Sequence, residues 1–138
     1  MDELDPSSRY DATIFDLGDV LVHWEPSTEG VPIPPLTFKH MCRSITWFEY
    51  EKGHLTTEEA FRKMAGTYGY SYEQVVQTFD AAKSSIKIDT SLFDLIREIK
   101  LSGRRVFAMS NISRPDCELV AARVESKYWS LFDRVFTS

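Results

Sequence analysis

Ten consecutive residues constrain this chain more than any others: Ala12-Thr13-Ile14-Phe15-Asp16-Leu17-Gly18-Asp19-Val20-Leu21. An apolar, β-prone run leads into an aspartate, then a glycine and a second aspartate. The run does not alternate cleanly between apolar and polar residues, so it reads as a strand buried on both faces, from about Ala12 to Asp16. A carboxylate where such a strand ends stands at the carboxyl edge of a sheet, where ligands bind in open α/β folds.

The remaining chain supplies the other elements of such a fold. Residues 1–9, rich in Asp, Glu, Pro and Ser, read as a disordered lead-in. From His23 to Pro35 there are five prolines or glycines, a composition that sustains neither a helix nor a central strand and reads as a linker. A helical region is expected from Leu36 to about Ile45, followed by Trp47-Phe48-Glu49-Tyr50-Glu51-Lys52-Gly53, which ends on a turn glycine. Thr56-Thr57-Glu58-Glu59 has the form of a capping box and opens a helix to about Ala65, ended by the Gly66 to Gly69 region. Ser71-Tyr72-Glu73-Gln74 repeats the device before Val75, Val76, Phe79 and Ala82, which share one helical face.

After this helical stretch, Thr90-Ser91 starts another helix, with Leu92, Leu95, Ile96 and Ile99 forming an apolar stripe. Gly103 is its stop, and Lys100 suits the end of the helix dipole. Val106 to Met109 is a second short buried strand ending in Ser110-Asn111. Pro115 opens a helix to about Val124, and Arg134 to Thr137 is a third strand. Strand, helical insert, helix, strand, helix, strand predicts a parallel α/β sheet. Right-handed crossovers would bring Asp16, Ser110 and Ser138 to one rim.

Asp16-Leu17-Gly18-Asp19-Val20 resembles motif I of the haloacid dehalogenase (HAD)-like hydrolases, specifically a fungal HAD-like branch. Ser110-Asn111 resembles their motif II. The resemblance implies a Rossmannoid parallel sheet, here incomplete with about three strands, with an inserted helical cap. The core would be residues 10–22 and 86–138, and the cap residues 23–85. It implies that Asp16 is the nucleophile that forms an aspartyl-phosphate and also a Mg²⁺ ligand. The backbone carbonyl of Gly18 would be a second ligand, and Ser110 and Asn111 would bind the phosphoryl group. Gly18 occupies the position where the family usually carries its general acid, and glycine cannot transfer a proton. Asp19, one residue on, reads as a turn residue before a catalytic one, with its carboxylate pointing elsewhere. The family's motif III lysine and motif IV acidic pair are expected downstream of the third strand, so the resemblance covers about the first two-thirds of a family domain.

The function implied is a Mg²⁺-dependent phosphohydrolase acting on a small organic phosphate or diphosphate, with a place in specialised metabolism. An alternative is a terpene cyclase or prenyl-diphosphate phosphatase of a fungal terpenoid pathway, for which an aromatic cap would suit a prenyl chain. Another is a truncated, inactive remnant or a regulatory partner. Trp47, Phe48 and Tyr50 read as cap core before pocket lining, and Trp24 either flanks the site or covers the sheet. His23, His40 and His54 show no metal spacing, and His54 reads as surface.

Composition mainly excludes. With 138 residues, 43% hydrophobic, the chain can bury a core but not several domains. A net charge of -5 argues against nucleic acid or an anionic membrane as partner. Cys42 and Cys117 have no CxxC spacing and read as reduced, partly buried thiols. No signal peptide or membrane-length apolar run is visible, so a cytoplasmic location is expected. If nothing pairs with the far side of the first strand, an exposed apolar edge follows, through which the chain could form homo-oligomers.

Overall fold

The structure, a computed structural model, describes residues 10–24 and 30–138. The expected lead-in over residues 1–9, and residues 25–29 of the expected linker, lie outside the described residues. The elements in order are β1 (Ala12–Asp16), β2 (Val22–His23), α1 (Pro35–Met41), α2 (Ile45–Glu51), α3 (Thr57–Tyr68) and α4 (Tyr72–Ser84). Then follow β3 (Lys87–Ile88), α5 (Thr90–Leu101), β4 (Arg105–Ser110), α6 (Arg114–Arg123), α7 (Ser126–Trp129) and β5 (Arg134–Thr137).

The sheet is parallel, in the order β1-β4-β5. Its register sets Asp16 opposite Met109 and Ser110 opposite Thr137, so the strands expected from sequence do end on one rim. One expectation is corrected. β1 is not buried on both faces, because among the described residues it pairs only with β4 and nothing covers its outer face. Ile14 is 58% exposed, and Met109 and Phe136 on the neighbouring strands continue the same open apolar face. The opposite face packs Val106 and Ala108 against Phe93 and Ile96 of α5 and Val120 of α6.

A second, two-stranded ribbon pairs β2 with β3 antiparallel, Val22 opposite Ile88. Sequence periodicity cannot reveal strands two residues long, and neither was expected. The ribbon brings together the points where the chain enters and leaves its helical stretch, and the Asp89 amide donating to the Leu21 carbonyl at 2.9 Å extends it. The helices α1 to α4 enclose a separate apolar cluster. Phe79 is its centre: its ring lies 4.7 to 5.2 Å from those of Phe38, Trp47 and Phe61.

Local chemistry sets most helix ends. Both capping boxes form as expected, with Thr56 Oγ1 accepting from the Glu59 amide at 3.2 Å and Ser71 Oγ from the Gln74 amide at 3.1 Å. α3 runs past Gly66 and stops at Gly69, which takes the left-handed conformation that glycine adopts without a steric penalty (φ 75°). The helix expected over Leu36 to Ile45 is instead divided. Ser44 donates to the Met41 carbonyl at 2.7 Å and accepts from the Trp47 amide at 3.1 Å, closing α1 and opening α2. In α5 the stripe is rotated: Phe93 and Ile96 are buried, whereas Leu95 is 46% exposed. Lys100, in the last turn of α5 as expected, also forms a tie, 2.7 Å from Asp133 Oδ1. Asp133 Oδ2 accepts from the Val106 amide at 2.8 Å, so one carboxylate joins α5, β4 and the approach to β5.

Two consequences are measurable. Phe79→Ala removes the centre of the helical cluster and should lower unfolding stability by about 3–5 kcal/mol in denaturant titration. The Lys100 ammonium, and then the Val106 amide, hold the Asp133 carboxyl below the ordinary aspartate range. Its contribution is therefore complete above the unfolded-state pKa and is lost as pH falls through the lowered folded value. Asp133→Ala should melt at a lower temperature than the parent at neutral pH, and the two melting curves should converge in acid.

Candidate functional site

The rim where the three strands end is built by a tight reversal directly after Asp16. The Leu17 carbonyl accepts from the Leu21 amide at 3.0 Å and the Val22 amide at 2.8 Å, while the Asp19 amide donates to the Val22 carbonyl at 2.8 Å. Buried Leu17 anchors this loop in the core. Asp19 is the residue that adopts positive φ (58°), a conformation aspartate tolerates better than most side chains. Gly18 does not, and a Cβ built there meets nothing within 4 Å. The backbone therefore does not require a glycine at this position.

Asp16 is exposed at the end of β1; the three residues after it, Leu17, Gly18 and Asp19, line a cavity of about 330 Å³, and Asp16 itself is not among the lining residues. Ser110 and Asn111, at the end of β4, line the same cavity. The rim thus gathers Gly18, Ser110 and Asn111 around one space with Asp16 beside it. Asp19, the turn residue, also lines the cavity.

The roof comes from the helical cluster. Trp47, Cys42 and Glu51 face the cavity, and Trp24 forms a side wall while packing against both apolar clusters. Trp47 is therefore both cluster core and cavity lining. Tyr50 is core alone, and Phe48 is exposed beside an adjoining groove. The Ser138 hydroxyl lies 3.1 Å from the Glu51 carbonyl, linking the end of α2 to the chain just beyond β5.

A buried acid and a half-buried one went unread in the sequence. Asp116 is 3% exposed on α6 and lines the cavity. Lys83 of α4 reaches across to it, Nζ 2.9 Å from Oδ1. That contact balances charge without the direction of a hydrogen bond, and Oδ1 has no aligned donor among the described residues. Glu51 Oε1 accepts from the Trp47 indole N–H at 2.8 Å. Burial raises the Glu51 carboxyl above the ordinary range; the indole hydrogen bond opposes this and the Asp116 charge adds to it. Ser113-Arg114-Pro115-Asp116 carried a local signal, since Ser113 caps α6 by accepting from the Asp116 amide at 3.2 Å. Nothing local shows that this aspartate is buried.

Among the described residues no three or more His, Cys, Asp or Glu side chains gather as a metal cluster. His54 is exposed and paired with Glu49 at 2.7 Å. Cys42 and Cys117 are free thiols. Burial, then the charges of Glu51 and Asp116, push the Cys42 thiol up to about 12. Since the thiolate is the nucleophile, iodoacetamide at pH 8 should leave Cys42 unmodified in the native protein and alkylate it in urea, as read by mass spectrometry.

No family model matches the sequence. The chain is 38% identical over 130 residues to "Drimenol cyclase drtB" of Aspergillus calidoustus, an alignment covering 92% of this chain and 24% of that protein. It is 28% identical over 132 residues to "Sesquiterpene phosphatase astK" of Aspergillus oryzae, covering 95% of this chain and 65% of that protein. The chain thus spans about a quarter of the first relative and just under two-thirds of the second. Among solved structures, the wild-type HAD family enzyme BT-2542 of Bacteroides thetaiotaomicron, in complex with magnesium and inorganic phosphate, superposes with a TM-score of 0.64. That likeness, at 19% identity, covers 94% of this chain and 69% of the other. The chain has the haloacid dehalogenase-like fold and is similar in sequence to fungal proteins of terpenoid metabolism.

Proposed function

We propose that this chain carries the nucleophile-bearing part of a HAD-like phosphohydrolase that acts on a small organic phosphate or diphosphate with an apolar, prenyl-like body. The observation that carries the reading is the gathering of Gly18, Ser110 and Asn111 around one aromatic-lined cavity at the strand-end rim where β1 ends on Asp16. The Asp16 carboxylate attacks phosphorus and holds the phosphoryl group as an aspartyl-phosphate, which water then releases. The Ser110 hydroxyl and Asn111 amide orient the phosphoryl oxygens. Trp24 and Trp47 offer apolar surface to the organic group and keep water from the reacting centre.

The exposed Asp16 carboxylate and the Gly18 carbonyl are hard oxygen donors of the kind Mg²⁺ takes, one or two from protein with water completing the shell. When bound there, Mg²⁺ would neutralise charge on the phosphoryl oxygens. The division into a core (10–22 and 86–138) and a cap (23–85) is supported by the two apolar clusters and by the ribbon at their junction. No described helix is long and apolar enough to cross a membrane, and a cytoplasmic site of action belongs to the proposal. Self-association through the open face around Ile14 and the β1 edge also belongs to it.

Likeness to a cyclase supports a second reading, in which a prenyl diphosphate is cyclised rather than simply cleaved. Incubation of the protein with Mg²⁺ and farnesyl diphosphate separates the two: acyclic alcohol and free phosphate support the hydrolase, and a cyclic product supports the cyclase. Hydrolysis of p-nitrophenyl phosphate should fall to background with EDTA. It should also fall by about a thousandfold or more in Asp16→Asn, as when a nucleophile is removed. Turnover that survives both treatments would refute the proposed site.

A further inference from the structure

Resting on the hydrolase reading, we propose that the Glu51 carboxyl is the general acid and base of the reaction, supplied from the helical wall of the same cavity that Gly18 lines. Glu51 is the last residue of α2 and faces the cavity that Gly18, Ser110 and Asn111 line from below. The open space at the Gly18 Cβ position leaves room for a group arriving from the opposite wall. The indole N–H of Trp47 orients the carboxyl, and the Ser138 contact holds the adjoining backbone near the strand-end rim.

Glu51 is better suited than the other acids nearby. Asp116, more deeply buried on α6, is already paired with Lys83 of α4. Asp19, across the cavity, is exposed to water. Glu51 has a neutral indole donor and the Asp116 charge as its neighbours, with the Cys42 thiol alongside. Burial and a like charge both favour the protonated form of a carboxylic acid, the form a general acid needs.

The step is balanced. As Asp16 Oδ bonds to phosphorus, the bond from phosphorus to the leaving oxygen breaks and its electron pair passes to that oxygen. Glu51 gives its proton to the same oxygen and the alcohol departs. Glu51, now a carboxylate, takes a proton from water as the water oxygen bonds to phosphorus. The bond from phosphorus to Asp16 breaks, inorganic phosphate leaves, and Asp16 is again a carboxylate and Glu51 an acid.

Glu51→Gln tests this, because glutamine can still accept from the Trp47 indole but cannot supply the proton. The quantity to read is kcat/KM, which reports transfer to Asp16 alone, on farnesyl phosphate and on p-nitrophenyl phosphate, whose leaving group needs little protonation. The expected losses are about 10²- to 10⁴-fold on farnesyl phosphate and far smaller on p-nitrophenyl phosphate. A nitrophenolate burst matching the enzyme concentration should appear, and the decline of activity at high pH should disappear. Adding Gly18→Asp to Glu51→Gln should restore farnesyl phosphate turnover by placing an acid on the floor instead of the roof. Equal losses on both substrates, or none on farnesyl phosphate, would overturn the role of Glu51 while leaving the hydrolase reading intact. A wild-type protein that turns over neither substrate would remove both.

Discussion

The backbone ladder between β1 and β4 is the constraint on which the rest depends. Because the pairing is parallel, both strands present their carboxyl ends to the same edge, and the five paired positions from Ala12 to Asp16 set how far each extends. A slip of one residue would turn Asp16 to the other face of the sheet, since side chains alternate along a strand. Opposing faces are protected unequally against such a slip. Val106 and Ala108 are buried under α5 and α6, whereas Ile14, Met109 and Phe136 lie open on the other side. Register is therefore enforced from one face.

Above this edge the chain assembles a chamber from pieces that are distant in sequence. The β2–β3 ribbon closes the helical stretch back onto the sheet within a few residues of Asp16, so the roof cannot drift far from the floor. Lys83 and Asp116 span the same junction as a largely buried ion pair. Such pairs add little net stability, because desolvation of both charges offsets their attraction. Their effect here is on the neighbourhood: a fixed negative charge beside Glu51 and Cys42 discourages either from ionising.

What could be read in the sequence was what is encoded locally. The capping boxes at Thr56 and Ser71 need only four residues each, and they formed as expected. The three strands of the sheet and the shared rim followed from apolar runs and their order. Ser44 was missed because its double role, ending one helix and starting the next, leaves the apolar pattern uninterrupted. The placement of Leu95 failed for a different reason. Periodicity gives a stripe, but whether Phe93 or Leu95 faces the sheet depends on where Val106 and Ala108 stand, 11 or more residues away in the chain. Of the residues the motifs mark, Asp16, Gly18, Ser110 and Asn111, the last three line the cavity. Asp116 and Glu51 were not legible, because burial and charge neighbours are tertiary properties that a hydrophilic residue in a helix does not announce.

The absence of strain at Gly18 bears on how such a site can change over time. Its φ lies outside the left-handed region and no atom crowds its Cβ position, so neither backbone nor packing demands a glycine. Codons GGT and GGC become aspartate codons by one base change. A protein with this loop therefore stands one mutational step from carrying an acid on its floor, with no steric clash at the Cβ it would add. Selection can move the source of the proton between floor and roof while Asp16 and Ser110 keep their places, which leaves the chemistry of this scaffold open to revision even though its architecture is not.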